Sequence, residues 1–331
     1  MTVRPTAGHR DPVAATATPL PPSVRPQAGP VAILPSSVAT FAAAVEEGGG
    51  QVAPLSAATR GVLWLHGTPG ELGDVLDEHP GIGWVQLPLA GIERYAEVLA
   101  AHPGLVWTSA KGSFAEPVAE HAVALTLAAL RGLPEKARST SWAERATGLS
   151  LYGRPVLIVG AGGIALEIMR LLQPFEVPVT IVRRGADPVP GAVATVSTAG
   201  LMDALAAADV VILAAAATAE THHLIGADQL AAMKPTAALV NIARGQLIDS
   251  DALAAALARG HLIGVGLDVT DPEPLPDGHP LWTAPRTVIT CHSADTPEMV
   301  KPLLAERVRR NVAAFVGDGA FVGIVDPVAG Y

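Results

Sequence analysis

From residue 31 onward, short runs of apolar and β-branched residues alternate with stretches of helical periodicity. Val31 to Leu34, Val62 to Leu65, Gly83 to Leu87 and Leu105 to Thr108 read as strands, and Ser37 to Glu47 and Ile92 to Ala101 as helices. Such alternation predicts βαβ units and a parallel sheet, because each crossover helix covers the apolar face its strands present. A longer helix follows, with Pro117 in its first turn, where a missing N–H costs least, and Val118, Ala122, Leu125 and Ala129 on one stripe. It is long enough to cross between two lobes. After an irregular connector, Trp142 to Tyr152, a second series places strands near Pro155 to Gly160, Val179 to Arg183, Val210 to Ala214, Ala238 to Ile242, Ile263 to Asp268 and Val288 to Cys291. Six or more such strands predict a doubly wound sheet. A last helix, about Pro297 to Val316, and a short tail to Tyr331 close the chain. The first thirty residues, rich in proline and without hydrophobic periodicity, are expected to form a disordered tail.

Composition narrows the class. The chain has 331 residues, enough for two domains, and half of them are apolar, enough for a substantial core. A net charge of −9 without a dense Lys/Arg run argues against nucleic acid or an anionic membrane as the partner, and favours small-molecule chemistry. A single cysteine rules out an internal disulfide framework and a Cys-based zinc cluster; no metal is expected. No apolar run approaches the roughly 20 residues of a membrane span, and the N-terminus lacks the order of a secretory signal. The chain reads as cytoplasmic.

The candidate chemistry sits where strands end. Val156 to Val159 runs into Gly160-Ala-Gly162-Gly163-Ile164-Ala165 and then a helix, a strand–turn–helix of pattern GxGxxA. Gly160 permits the tight turn, Gly162 lets a pyrophosphate approach the backbone, and the helix N-terminus favours its charge. An NAD-binding unit usually ends its second strand in an acidic residue that contacts the ribose hydroxyls. Here Arg183-Arg184 stands in that place. A carboxylate would repel a 2′-phosphate, whereas guanidinium groups attract it and can bind it bidentately, so NADP(H) is the expected cofactor, with NAD(H) the alternative.

Three more polar positions fall just past apolar strands, the edge at which open α/β sheets bind ligands. Arg244 follows Ala238 to Ala243, Asp268 and Glu273 follow Ile263 to Leu267, and His292 follows Val288 to Cys291. Together they match what hydride exchange with a 2-keto acid requires. An arginine fixes the substrate carboxylate and polarises its carbonyl, a histidine gives up the accompanying proton, and a glutamate hydrogen-bonded to that histidine stabilises the imidazolium. His222, His223, His261 and His279 fall in helices or loops away from that set and read as structural or solvated; Cys291 reads as a small buried hydrophobe.

With these residues in place, the chain from about residue 31 resembles the D-isomer-specific 2-hydroxyacid dehydrogenase family. The likeness rests on the glycine turn at Gly160, on Asp209-Val-Val-Ile-Leu with Thr218-Ala-Glu-Thr221, on Met233-Lys-Pro with Val240-Asn-Ile-Ala-Arg-Gly-Gln-Leu-Ile-Asp249, on Gly266-Leu-Asp-Val-Thr-Asp-Pro-Glu-Pro-Leu275, and on His292. The resemblance implies Arg244, Glu273 and His292 as the catalytic set, and Asp268 beside the nicotinamide amide. It also implies the backbone at Ala90-Gly91 as the substrate-carboxylate loop, with His66 placed to meet a polar substrate tail. Gly160, Gly162, Gly163, Ile164, Arg183, Arg184, Thr221 and Ile242 complete the expected cofactor site. The implied fold is α/β, a Rossmann-type doubly wound parallel sheet (119–294) inserted in a second, flavodoxin-like α/β substrate lobe (31–118 and 295–331). The implied assembly is a homodimer, and the implied substrate a small 2-keto or 2-hydroxy acid. Two departures stand out: Arg183 in place of the acidic residue, and Ser293-Ala-Asp295 after the histidine where an apolar residue and then glycine or small residues are usual. A cofactor-binding interaction protein of the same fold, like the family-related corepressors, is the alternative function.

Overall fold

The computed structural model describes residues 17–142 and 147–325. They divide into two compact units, one running to Phe114 and resuming at Pro297, the other spanning Ala115–Thr296. The boundaries expected from the sequence lay four residues later and two earlier. The helix expected from Pro117 begins at Ala115, and it packs on strands of the second unit and on the helix Gly163–Leu172.

In the first unit, β1 (Thr18–Pro19) precedes a four-stranded parallel sheet of β2 (Val31–Leu34), β3 (Gly61–Trp64), β4 (Trp84–Gln86) and β5 (Val106–Thr108), ordered as in the chain. Helices α1 (Ala39–Glu47), α2 (Pro69–Glu78) and α3 (Ala96–Ala101) make the crossovers. Periodicity does not single out α2. Its start is set by a capping box, in which Thr68 accepts from the Glu71 N–H and the Glu71 carboxylate accepts from the Thr68 N–H.

The expected tail of thirty residues is corrected here. Residues 1–16 lie outside those described, but residues 17–30 are placed: β1 pairs antiparallel with β13 (Ala320–Phe321), and Leu20 donates its N–H to Gly319. A proline-rich segment lacks periodicity of its own, yet as an extended strand it can take hydrogen bonds from an edge supplied by the other end of the chain.

The second unit opens with α4 (Ala115–Arg131) and α5 (Leu133–Arg138). Seven parallel strands follow: β6 (Val156–Val159), β7 (Val179–Arg183), β8 (Ala194–Ser197), β9 (Val210–Leu213), β10 (Ala238–Asn241), β11 (Gly264–Leu267) and β12 (Thr287–Ile289). They are ordered β12-β11-β10-β9-β6-β7-β8, with α6 (Gly163–Leu172), α7 (Leu201–Ala207), α8 (Ala227–Ala232) and α9 (Ser250–Ala258) between them. The order reverses between β6 and β9, the topological switch point at which doubly wound sheets open a ligand crevice. β8 is the strand the sequence pattern does not mark: it forms the sheet edge, carries no apolar run and is only partly buried.

The central strands are buried throughout, as the continuous apolar runs predict. Helix α4 lies close on β11 because two glycines admit it. A Cβ on Gly264 would stand 2.5 Å from the Ala129 carbonyl oxygen, and one on Gly266 2.8 Å from the Leu125 Cβ. The last helix, α10 (Pro297–Val316), belongs to the first unit, where buried Arg307 donates to the Ser109 and Lys111 carbonyls, and Asn311 donates to Gln86 on β4. No described helix is long and apolar enough to cross a membrane.

Candidate active site at the carboxyl edge of the second sheet

Because all seven strands of the second unit run parallel, the loops after β6, β7, β9, β10, β11 and β12 leave from one edge. Every expected residue of that unit lies on these loops, at the strand ends or, for Gly163 and Ile164, in the first turn of α6.

At the β6 turn, Gly160 has φ +116°, and a Cβ there would meet the Ala214 carbonyl oxygen at 2.5 Å. Only glycine fits. A Cβ on Gly162, by contrast, would meet nothing within 4 Å, and no side chain caps α6. Among the described residues no side chain therefore caps the first turn of this ten-residue helix, and the backbone at Gly162 is open enough for a pyrophosphate to approach. Gly163 and Ile164 form that first turn. β7 is in register with β6, Val182 opposite Val159, so Arg183 ends its strand beside Gly160, and Arg184 follows it exposed. A dinucleotide fits these residues. Thr221 uses its hydroxyl locally, donating to the Ala216 carbonyl and accepting from the Thr218 N–H, and so shapes the loop after β9.

The loop after β10 is rigid by construction. Asn241, fully buried, accepts from the Ala243 N–H and donates to the Arg244 carbonyl, closing the turn through Ile242. The Arg244 guanidinium donates to the Ala243 carbonyl at 2.7 Å. Gly245 then passes so close to the loop after β11 that a Cβ would lie 1.8 Å from the Thr270 carbonyl oxygen.

The histidine is positioned by Asp268. This carboxylate, 2% exposed, accepts from the Thr290 hydroxyl at 2.6 Å, the Ser293 N–H at 2.9 Å and the Ala294 N–H at 3.2 Å, while its own carbonyl accepts from the His292 N–H at 2.6 Å. His121 of α4 donates from Nε2 to the Thr290 hydroxyl at 2.9 Å, extending the network into the helix. Both Cys291 and His292 have left-handed backbone, φ +51° and +53°. Such a pair of non-glycine residues is strained by about 1–3 kcal/mol each and persists only where the surroundings hold it. The same turn lifts Cys291 off the strand. It is exposed, which corrects the expectation of a buried hydrophobe.

The outcome is a direct contact between two residues 19 apart: His292 Nδ1 lies 2.5 Å from Glu273 Oε1, with side chains 48% and 41% exposed. An ionised glutamate only accepts, so the ring donates from Nδ1 and leaves Nε2 for an incoming group. Asp295 joins this neighbourhood. Burial pushes its carboxyl up from the ordinary value, opposed by the nearby charges of His292 and Arg244 and reinforced by Asp268. It marks Arg244, Asp268 and His292 as electrostatic neighbours. In the sequence Asp295 stands out only as a departure from the glycine or small residues usual there.

Ala90, Gly91 and His66 belong to the first unit. Ala90 and Gly91 follow β4, and His66 follows β3 and is exposed.

A glycine turn at the switch point and an acid-backed histidine stand on the same sheet edge, an arrangement that suits a nicotinamide-dependent oxidoreductase. Residues 123–294 match the model of the D-isomer specific 2-hydroxyacid dehydrogenase, NAD binding domain, and the chain belongs to that family. It is 36% identical to a protein encoded in the proB 3′ region of Corynebacterium melassecola, over 87% of this chain and 95% of that one. It is 31% identical to a glyoxylate reductase of Thermofilum pendens, over 73% and 74%. Among solved structures, an NADPH-dependent glyoxylate/hydroxypyruvate reductase from Sinorhizobium meliloti, in complex with NADP and malonate, superposes with a TM-score of 0.70 at 26% identity, covering 90% of this chain and 97% of that one.

Proposed function

We propose that this protein is an NADP(H)-dependent reductase that converts a small 2-keto acid into its D-2-hydroxy acid. The observation that carries the reading is the His292–Glu273 contact, at the same sheet edge as the Arg244 turn and the glycine turn.

NADPH, when bound, supplies the hydride. Its pyrophosphate would lie on the N–H groups of Gly162, Gly163 and Ile164, and its 2′-phosphate against Arg183 and Arg184, where an acidic residue would select NADH instead. Arg244 holds the substrate carboxylate and draws charge onto the keto oxygen. His292 Nε2 gives its proton to that oxygen as charge develops, and Glu273 on Nδ1 keeps the ring oriented and offsets the imidazolium charge. Asp268, with both carboxylate oxygens committed to the His292 turn, acts as a positioning residue. In the first unit, the family resemblance assigns the substrate carboxylate to the Ala90-Gly91 backbone and a polar tail to His66. The glyoxylate and hydroxypyruvate reductases among the relatives support a short substrate.

The test is reduction of glyoxylate, hydroxypyruvate and pyruvate with NADPH by wild type and His292→Ala. The variant should lose roughly 10²–10⁴-fold in kcat/KM and bind NADPH as wild type does. Loss of NADPH binding in parallel with activity, or no turnover of any short 2-keto acid by wild type, would overturn the assignment.

A further inference from the structure

The loop after β9 carries two histidines that the proposed reaction does not use. His222 and His223 are exposed, their rings stacked 4.0 Å apart, centre to centre. From the sequence they read as solvated. In the structure a carboxylate joins them: one ring nitrogen of each and a carboxylate oxygen of Asp271 all lie within 4.8 Å of one another. Asp271 is 48 positions further along the chain, on the loop after β11.

The backbones beneath these side chains are fixed. The His223 N–H donates to the Gln246 carbonyl and the Ile225 N–H to the Leu247 carbonyl, while the Asp249 N–H donates back to Ile225, so residues 223–225 run as a short parallel bridge along the segment after Arg244. The Asp271 carbonyl accepts from the Ser250 hydroxyl at the start of α9, and its amide nitrogen lies 2.5 Å from where a Cβ on Gly245 would stand. Three donor groups therefore project from segments that are hydrogen-bonded into neighbouring positions, with their ligand atoms already within 4.8 Å of one another.

We propose that His222, His223 and Asp271 form a binding site for a divalent transition cation of the zinc class, and that its occupancy fastens the Glu273 loop to the segment beside Arg244. Two imidazoles and one carboxylate suit zinc, cobalt or nickel, whereas magnesium and calcium require an all-oxygen shell. Three protein ligands leave coordination positions for water. Asp271 stands two residues before Glu273, so an ion bridging Asp271 to the histidines restrains the segment that carries the partner of His292. Ion binding stands whether or not the chain reduces keto acids.

The experiment uses the full chain, free of affinity tag and stripped of metal. Zn²⁺ is titrated in competition with a chromophoric chelator, and Co²⁺ is followed by its visible d–d absorption. Wild type should bind one ion per chain. Asp271→Asn, and separately the double variant His222→Gln/His223→Gln, should bind at least about tenfold more weakly. The competing donor set is Cys291 with His292, so Cys291→Ser/His292→Asn should bind as wild type does. Unchanged binding in both loop variants, or loss confined to the Cys291→Ser/His292→Asn protein, would overturn the site. Hydrogen–deuterium exchange reads the fastening: zinc should slow exchange across residues 221–225 and 269–273 in wild type. Stoichiometric binding that leaves exchange there unchanged would overturn that half of the proposal.

Discussion

Gly245 shows how much of the site hangs on the absence of one carbon. It follows Arg244 directly, and its α-carbon faces the Thr270 carbonyl, so a methyl group there would overlap backbone rather than a side chain that could swing away. We expect Gly245→Ala to lose at least about 3 kcal/mol, the upper end of what overpacking costs, together with the ordering of both the Arg244 turn and the Glu273 loop. Urea unfolding measures it, and a loss under 1 kcal/mol would mean the two loops separate easily.

At the same scale, two carboxylates should respond oppositely to pH. Burial raises Asp295 above its ordinary value of 3.8, so its contribution to stability is full below that value and is lost as pH rises through the raised one. Glu306 is lowered from 4.5, first by its hydrogen bond to Arg309, so its contribution is present above 4.5 and is lost as pH falls through the lowered value. Across the acid range, the Tm of wild type relative to Asp295→Asn should therefore decline as pH rises, and that relative to Glu306→Gln should climb. Parallel curves would remove the burial argument for Asp295.

Among the elements, those with strong internal periodicity were legible. β6 and β9 are unbroken apolar runs, β10 is apolar up to Asn241, and they became the buried centre of the second sheet. β8 was not legible, since an exposed edge strand needs only one partner and no apolar face. Nor was the strand pair β1–β13, whose halves stand at opposite ends of the chain. α2 depended on a local signal of another kind, the Thr68–Glu71 box. The start of α9 has a comparable device in Asp249, whose side chain accepts from the Ala252 N–H at 2.9 Å. Asp249→Ala should cost about 1 kcal/mol and fray the end that holds Ser250 on Asp271. Chemical denaturation gives the cost, and a change within a few tenths would show that packing alone sets this terminus.

For the whole molecule, the decisive test is ligand choice. A ligand that binds only the folded state stabilises it by mass action, about 2.7 kcal/mol at a hundred times its Kd. NADPH should raise the Tm of wild type more than NADH at equal concentration, and replacing Arg183 and Arg184 together by alanine should erase that difference while leaving an NADH response. An unchanged preference would remove the role assigned to the arginine pair. The net charge of −9 bears on the molecule as a whole without explaining this site, where the cations proposed to act are a few arginines at strand ends.

What the sequence by itself determined was the kind of sheet, the glycine turn at its switch point and the identity of the polar residues at strand ends. Those features are encoded by neighbours a few positions apart, through period-two and period-3.6 burial and through the positive φ that a glycine at position 160 adopts without steric cost. Only the tertiary structure decided that Glu273 reaches His292, that Asp268 serves the histidine turn, and that Asp271 meets two histidines from another loop. Such contacts join residues 19 to 49 positions apart, and they depend on strand register, on two successive left-handed residues and on backbones passing within an ångström or two of collision. None of these is a property of a short stretch of chain.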